Sequence, residues 1–398
     1  MAAVVVAAAA FLVSCAIARG GFFSSADPGD VLRYHEFADL LRQHQLPYRD
    51  FYMEYPPGAI PWFLAPFVLG GVAGYVMAFK VTVAVAGVAL VVVAGLILGL
   101  LDRSPDRDVL VLGSLVALPV ALGAVVLNRY DLWPTLVVAG ALAALLAERD
   151  RTGFALLGIG TAIKIFPLVV VPVAVLHVWR QRGTGALRSA VAWGVVAFAV
   201  VVLPFAALAP GGLGYSVKTQ VIRKLQLESL GASFLLAADK LGAYAGSIVP
   251  GKPGSLDLSG GLPNALGVLT TLVFLLALAV IVLVYLRAPE SDELLVLGFA
   301  ASITAFVAFS KVVSPQFLVW LVPVVPLARG RRLLTTALLV TILVLTQIEV
   351  VWEHPLRHFE WPVWVLLGRN LLLVALFAVL LHALWAQARE SIRPRAPS

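Results

Sequence analysis

The chain has 398 residues, of which 61% are hydrophobic and only 13% charged, and its mean hydropathy is +0.97. Such a composition excludes a soluble globular domain; long apolar runs joined by short charged loops mark a polytopic α-helical membrane protein. The runs are continuous rather than alternating, which excludes a β-barrel. Much of the arginine behind the net charge of +7 lies in short loops, where it sets topology rather than binding nucleic acid.

In chain order, residues 1–18 have no basic n-region and many apolar runs follow, so they predict a first transmembrane helix rather than a signal peptide. The single cysteine, Cys15, sits inside this run, so no intrachain disulfide forms. The loop 19–56 comes next. It carries the acids Asp27, Asp30, Glu36, Asp39, Asp50 and Glu54 against Arg33, Arg42 and Arg49. Within it, Val31, Tyr34, Phe37, Ala38 and Leu41 recur at helical spacing, predicting an amphipathic helix over 30–43. Run 57–75 opens on Pro56-Pro57-Gly58, contains Pro61 and Pro66 and ends Gly-Gly-Val-Ala-Gly; it reads as a re-entrant or surface helix. The first full span after the loop is then 76–100, followed by 109–127 and 132–147.

Run 153–179 has Lys164 and Pro167 in its middle and Arg-rich loops, ERDRTG and WRQRGTGALR, on both flanks. Flanks of one sign predict one side of the membrane, so the run reads as two short helices in a hairpin with Lys164 at the tip, in a water-filled cavity. Runs 189–209, 262–286, 294–309, 316–328, 333–351 and 362–386 complete about twelve transmembrane helices. The N-terminus, the Arg-rich loops and the tail 387–398 fall in the cytoplasm; loops 19–56 and 210–261 fall outside. The final RPRAPS predicts disorder. No internal repeat is visible. The whole of 1–398 reads as one all-α integral membrane domain in the plasma membrane, with its site facing outward.

Ionisable residues near membrane depth are costly and mark function. Lys80, Arg129, Asp131, Lys164, Lys311 and Glu349 are such residues, and the topology gathers them toward the outer side. Several candidates also have a plainer reading. Asp30 follows Pro28-Gly29 at the start of the loop helix, as an N-cap does, yet an acid there also suits a general base. Lys164 suits an anion at the hairpin tip, or snorkels to the interface. Arg129 suits a phosphate, or pairs with Asp131. Arg223, Gln226, Glu228 and Ser229 lie in the loop after 209, where Glu228-Ser229 suits sugar or acceptor hydroxyls, or the stretch forms a solvated amphipathic surface helix. Trp62, Tyr130, Trp133 and Trp320 suit a sugar face, or the aromatic belt of an interface.

Four stretches carry a resemblance. YRDFYMEYPPG in the first loop, NRYDLWP followed by ERDRTGFALLGIGTAIKIFPLVVVP, RKLQLESLGAS, and SKVVSPQFLVWLVP occur in this order. Together they resemble polyprenol-phosphate-dependent glycosyltransferases of the GT-C fold, in particular glycosyltransferase family 87, which includes actinobacterial α-mannosyltransferases. The resemblance covers about residues 1–330. It implies a first-loop Asp as general base, with inversion at the anomeric carbon and polyprenyl phosphate as leaving group. Asp30 matches that acid; Glu54 and Asp50 compete for the role. Lys164, Arg129, Arg223 and Lys311 become the candidates for the donor phosphate, and Tyr34, Glu54, Tyr55, Asp131, Glu228, Ser229 and Gln316 for sugar or acceptor.

The expected reaction transfers mannose or another sugar from a polyprenyl-phosphate donor to a glycolipid or cell-envelope glycan. The donor is a substrate, and no cofactor is expected. The sequence has no HExxH, cysteine cluster, Walker A or GxGxxG motif, and no metal is expected. The alternative is a secondary transporter or lipid-carrier flippase; such proteins are commonly built from pseudo-symmetric halves.

Overall fold

The computed structural model describes residues 1–18, 29–101, 104–251, 255–352, 356, 358 and 360–390. Expectations for Asp27 and the rest of 19–28, for much of 353–359 and for the tail 391–398 lie outside those residues. Apolar segments in a bilayer must satisfy their backbone groups internally, and the chain is accordingly almost wholly helical. The elements are α1 (Ala2–Ile17), α2 (Val31–Arg42), α3 (Ile60–Leu100), α4 (Pro105–Leu122), α5 (Leu132–Leu146), α6 (Asp150–Ile163), α7 (Val171–Leu208), α8 (Pro210–Val221) and α9 (Leu230–Lys240). A short antiparallel hairpin, β1 (Ile248–Pro250) and β2 (Leu256–Leu258), precedes α10 (Gly261–Arg287), α11 (Asp292–Phe309), α12 (Arg332–Val351) and α13 (Pro362–Glu390). Among the described residues, seven helical stretches are long and apolar enough to cross a membrane, and α1 and α5 are shorter apolar helices.

The chain folds into two compact units: Met1–Ile97, Leu115–Leu168 and Arg188–Arg223 form unit 1, and Leu98–Ser114, Val169–Leu187 and Lys224–Ser398 form unit 2.

In unit 1, α3 is two helices joined at Gly71, whose φ of 60° suits glycine. The Tyr75 hydroxyl donates to the Phe63 carbonyl at 2.9 Å. On a straight helix these residues would stand about 18 Å apart, so the arm 60–70 doubles back on 72–100. The arm is about 16 Å long, shorter than a span. This is the break read from the Pro- and Gly-rich run 57–75. α1 lies along the second arm, where Gly87 makes room for Phe11 and Gly95 for Val4; small residues let membrane helices approach closely. α7 is likewise broken at Gly183 (φ 78°); α5 and α6 pair across the turn 147–149, and α6 meets the part of α7 after that break at Gly158 and Gly194. A Cβ on Gly158 would stand 2.1 Å from the Gly194 carbonyl oxygen.

The expected interruption of run 153–179 is present. α6 ends at Ile163, Lys164 is extended (φ −157°, ψ 142°), and the Pro167 ring comes back against Gly160.

In unit 2, α11 is buried almost all round and packs against α10 and α13, with α12 on α13. Leu225, Leu227, Leu235, Leu236, Leu258 and Val363 form a core beneath α9. One expectation is corrected here. Run 316–328 is not an α-helix: Pro315–Leu321 is a 3-10 helix and turns follow. Pro315, Pro323 and Pro326 each lack an N–H donor, which prevents a continuous α-helical ladder.

Candidate functional site

The first loop is bolted in place before it presents any chemistry. Asp50 accepts from Arg49 at 2.9 Å and from the Leu46 N–H at 2.7 Å. The Arg49 hydrogen bond first, then the Leu46 N–H, lowers its carboxyl to about 2. Asp50, one competitor for the base, is thus spent on holding its own turn. Tyr48, at φ 67°, donates to the Tyr55 carbonyl at 2.5 Å and packs against Gly212, where a Cβ would overlap its carbonyl oxygen. From α8, Ser216 donates to the Met53 carbonyl at 2.7 Å, and Thr219 bonds the Tyr52 hydroxyl at 3.1 Å. Gly58 lies on the backbone of Ala162 and Ile163, where any Cβ would stand 2.7 Å from Ala162. Pro56-Pro57-Gly58 therefore seats the loop beside Lys164.

Asp30 occupies the N-cap position of α2 but makes no side-chain cap bond. Its dihedrals are helical (φ −68°, ψ −8°) rather than extended, which aims the carboxylate away from the free helix N–H groups. One carboxylate oxygen instead pairs with Arg129 Nε at 3.1 Å and accepts from the Tyr34 hydroxyl at 3.4 Å. The pair is partly open, at 27% exposure for Asp30 and 23% for Arg129. Gly29 (φ 63°) makes this possible, because a Cβ there would stand 2.2 Å from Arg129 Nη1.

Arg129 does not take Asp131. Asp131 pairs with Lys164 at 2.6 Å, and both are largely buried (2% and 16% exposed). The anion that the lysine requires inside an apolar run is therefore supplied by the protein itself. Tyr130 bridges the two pairs: Lys164 Nζ lies 4.9 Å from its ring centre, and the ring meets Tyr34 and Tyr55 edge-on at 5.7 and 5.5 Å. Phe63 stacks on Tyr34 at 4.5 Å and closes this aromatic box. Burial raises the Tyr34, Tyr55 and Tyr130 hydroxyls well above their ordinary value, so they remain neutral hydrogen-bond donors. Glu54 pairs with Arg33 at 3.0 Å, and burial raises its carboxyl above the usual range.

Beside Ile163, unit 1 also holds an apolar cleft of about 270 Å³, lined by Pro57, Ile60, Trp62, Ile163, Val201 and Phe205. Trp62 stacks on Trp133 at 3.8 Å along its wall.

The structure thus brings Asp30, Tyr34, Glu54, Tyr55, Arg129, Asp131 and Lys164 into one cluster. Arg223 lies just past α8, half buried. The other four candidates belong to unit 2. Ser229 is buried and caps α9, its Oγ accepting from the Ala232 N–H. The Gln226 N–H donates to the Lys311 carbonyl at 2.9 Å and the Gln226 side chain donates to Ser314 at 3.4 Å. The RKLQLES and SKVVSPQ stretches therefore meet, with Gln316 in the 3-10 helix that follows. The Glu228 carbonyl is held by Arg369 at 3.0 Å and Asn370 at 3.3 Å, and Arg369 pairs with Glu349 at 3.2 Å. Sequence reasoning passed over Arg369, Arg33 and Gly29. Arg369 carried a signal, a cation inside a long apolar run; Arg33 and Gly29 carried none beyond their loop. Among the described residues no group of three or more His, Cys, Asp or Glu could hold a metal ion.

The sequence model of glycosyltransferase family 87 matches residues 52–315. The fold is similar to the crystal structure of ArnT from Cupriavidus metallidurans in the apo state, with a TM-score of 0.50 at 15% identity. That match covers 97% of this chain and 77% of the other. No curated protein sequence matches the chain.

Proposed function

The chain belongs to glycosyltransferase family 87 and has the GT-C membrane fold, and from that premise we propose that it transfers a sugar, mannose, from a polyprenyl-phosphate donor to a lipid-linked or cell-envelope glycan on the outer face of the plasma membrane. The observation that carries this reading is Asp30: a carboxylate at the head of a helix that declines the helix cap and is held instead, partly exposed, by Arg129 and Tyr34 at the rim of an aromatic box.

Asp30 takes the proton of the acceptor hydroxyl. The acceptor oxygen attacks the anomeric carbon, the bond from that carbon to the phosphate oxygen breaks, and polyprenyl phosphate leaves with the electron pair, giving inversion. Arg129 is the cation that meets the leaving phosphate, with Lys164, kept in its pair with Asp131, adding positive charge behind it; Lys311 and Arg223 are further candidates. Tyr55, partly buried, offers a neutral O–H donor to the sugar, while Tyr34 and Tyr130, buried beside it, shape the box behind. Glu54, Asp131, Glu228, Ser229 and Gln316 are the remaining polar candidates for sugar and acceptor, although Asp131 and Ser229 already have structural partners. The apolar cleft beside Ile163 suits an isoprenoid chain.

The test is sugar transfer by purified protein from a panel of polyprenyl-phosphate sugars and from nucleotide sugars, followed by determination of the product's anomeric configuration. Transfer from polyprenyl-phosphate mannose with inversion is expected. Transfer from nucleotide sugars alone, or with retention, would overturn the reading.

A further inference from the structure

We propose that Arg129 serves two anions in turn: it restrains Asp30 until the phosphate of the lipid donor draws it away, so that donor binding is the event that frees the base. This rests on the reading above of Asp30 as base and Arg129 as a phosphate ligand, and adds the order in which the two act.

Three cations stand in the cluster, and their partners differ. Lys164 faces Asp131, which is 2% exposed. Drawing Lys164 off would leave a buried carboxylate uncompensated, which is strongly unfavourable. Arg33 faces Glu54, which is 13% exposed. Arg129 faces Asp30, the most open of the three acids at 27%. Losing its cation costs Asp30 least, because water and the Tyr34 hydroxyl remain to it. The pair uses Arg129 Nε, while Nη1 donates to the Asn128 carbonyl at 3.1 Å. A guanidinium carries five N–H donors in a planar fork that matches phosphate oxygens.

The same Asp30 oxygen that faces Arg129 also receives Tyr34. With Arg129 and Tyr34 in place, that oxygen is already engaged by two groups. Once the guanidinium turns to the donor phosphate, the oxygen is open. The acceptor proton then passes to Asp30, the acceptor oxygen bonds the anomeric carbon, and the carbon–oxygen bond to phosphate breaks. The leaving phosphate gains negative charge and strengthens its hold on Arg129. After release, Asp30 gives its proton to water and the pair re-forms.

Because Asp30 and the phosphate compete for one cation, neutralising Asp30 should tighten binding of the phosphate lipid. The experiment measures the Kd of geranylgeranyl phosphate for the purified full chain in nanodiscs. The proteins are wild type, Asp30→Asn, Arg129→Gln, the double variant, and Asp50→Asn as a charge-matched control from the same loop. Asp30→Asn is expected to bind roughly fivefold more tightly than wild type, the value of a partly exposed ion pair. The gain should vanish in the Arg129→Gln background, as a double-mutant cycle requires, and Asp50→Asn should bind as wild type does. Asp30→Ser carries the same expectation if Asp30→Asn does not fold. Equal or weaker binding by the Asp30 variants would overturn the exchange while leaving the proposed function standing. The same tightening without Arg129 would reduce it to loss of a negative charge and overturn it equally. Absence of binding by wild type would overturn the donor reading and the exchange together.

Discussion

Each unit holds an ion pair inside largely apolar surroundings, and the two pairs are built differently. In unit 2, Arg369 and Glu349 are 0% and 2% exposed, and Arg369 also holds the backbone carbonyl of Glu228. In unit 1, Asp30 and Arg129 are about a quarter exposed, flanked by tyrosine hydroxyls, with the buried Asp131–Lys164 pair behind them. An enclosed pair can only position what it touches. A partly open pair can exchange partners. The difference separates a charge kept for architecture from one available for chemistry, although both look alike as ionisable residues in apolar sequence.

The largest effect should come from splitting the enclosed pair. Arg369→Leu alone leaves Glu349 buried without its cation and is expected to cost about 3–5 kcal/mol of stability. Glu349→Leu with Arg369→Leu should recover most of that in thermal unfolding, and transfer activity with it. The comparison sharpens if unit 1 behaves otherwise. Asp131→Asn with Lys164→Met should also recover stability relative to Lys164→Met, yet transfer should stay down about a hundredfold, because a cation facing the developing phosphate charge is gone. Recovery of both in unit 1 would make its pairs architectural too.

A smaller effect is expected at Gly29. Gly29→Ala forces a left-handed alanine, costing about 1–2 kcal/mol, and its Cβ displaces the Arg129 guanidinium. Transfer should fall by more than the loss of folded protein explains, measured against unfolding temperature.

The smallest is a pH effect at Glu54, whose carboxyl is raised by burial against the pull of Arg33. The folded state therefore binds this proton more tightly than the unfolded chain does. The stability it contributes is present below the unfolded value of about 4.3 and is lost as pH rises through the raised one. Glu54→Gln should flatten the unfolding temperature across that window. Asp50, lowered to about 2, has the opposite sign: its contribution is present above about 3.9 and is lost as pH falls toward 2.

Much of this was legible in the sequence because the physics was local. Pro and Gly punctuate run 57–75, and Gly71 is where the chain turns back. Lys164 and Pro167 interrupt run 153–179, and α6 stops one residue earlier. Run 316–328 has the hydropathy of a span, but hydropathy does not count missing N–H donors, and Pro323 and Pro326 within it, with Pro315 just before it, turned it into a 3-10 helix and turns. The site was legible as a set of residues rather than as a set of partners. Arg129, Asp131 and Lys164 could be picked out by charge in apolar surroundings, and Asp30, in an acid-rich loop, by its place at a helix start and by the family resemblance. That Arg129 would take Asp30 and Lys164 would take Asp131 depends on α2, α5 and α6 meeting in space, which no local pattern encodes. The same holds for Gly29, whose closeness to Arg129 exists only in the folded chain.

The most direct measurement sets the three first-loop acids side by side. Transfer from polyprenyl-phosphate mannose is followed for purified wild type, Asp30→Asn, Glu54→Gln and Asp50→Asn, each at matched unfolding temperature. The account predicts a loss of about 10²–10⁴-fold for Asp30→Asn alone, with Asp50→Asn near wild type and Glu54→Gln between them. Transfer retained by Asp30→Asn, or a collapse at Glu54 or Asp50 instead, would contradict the assignment of the base.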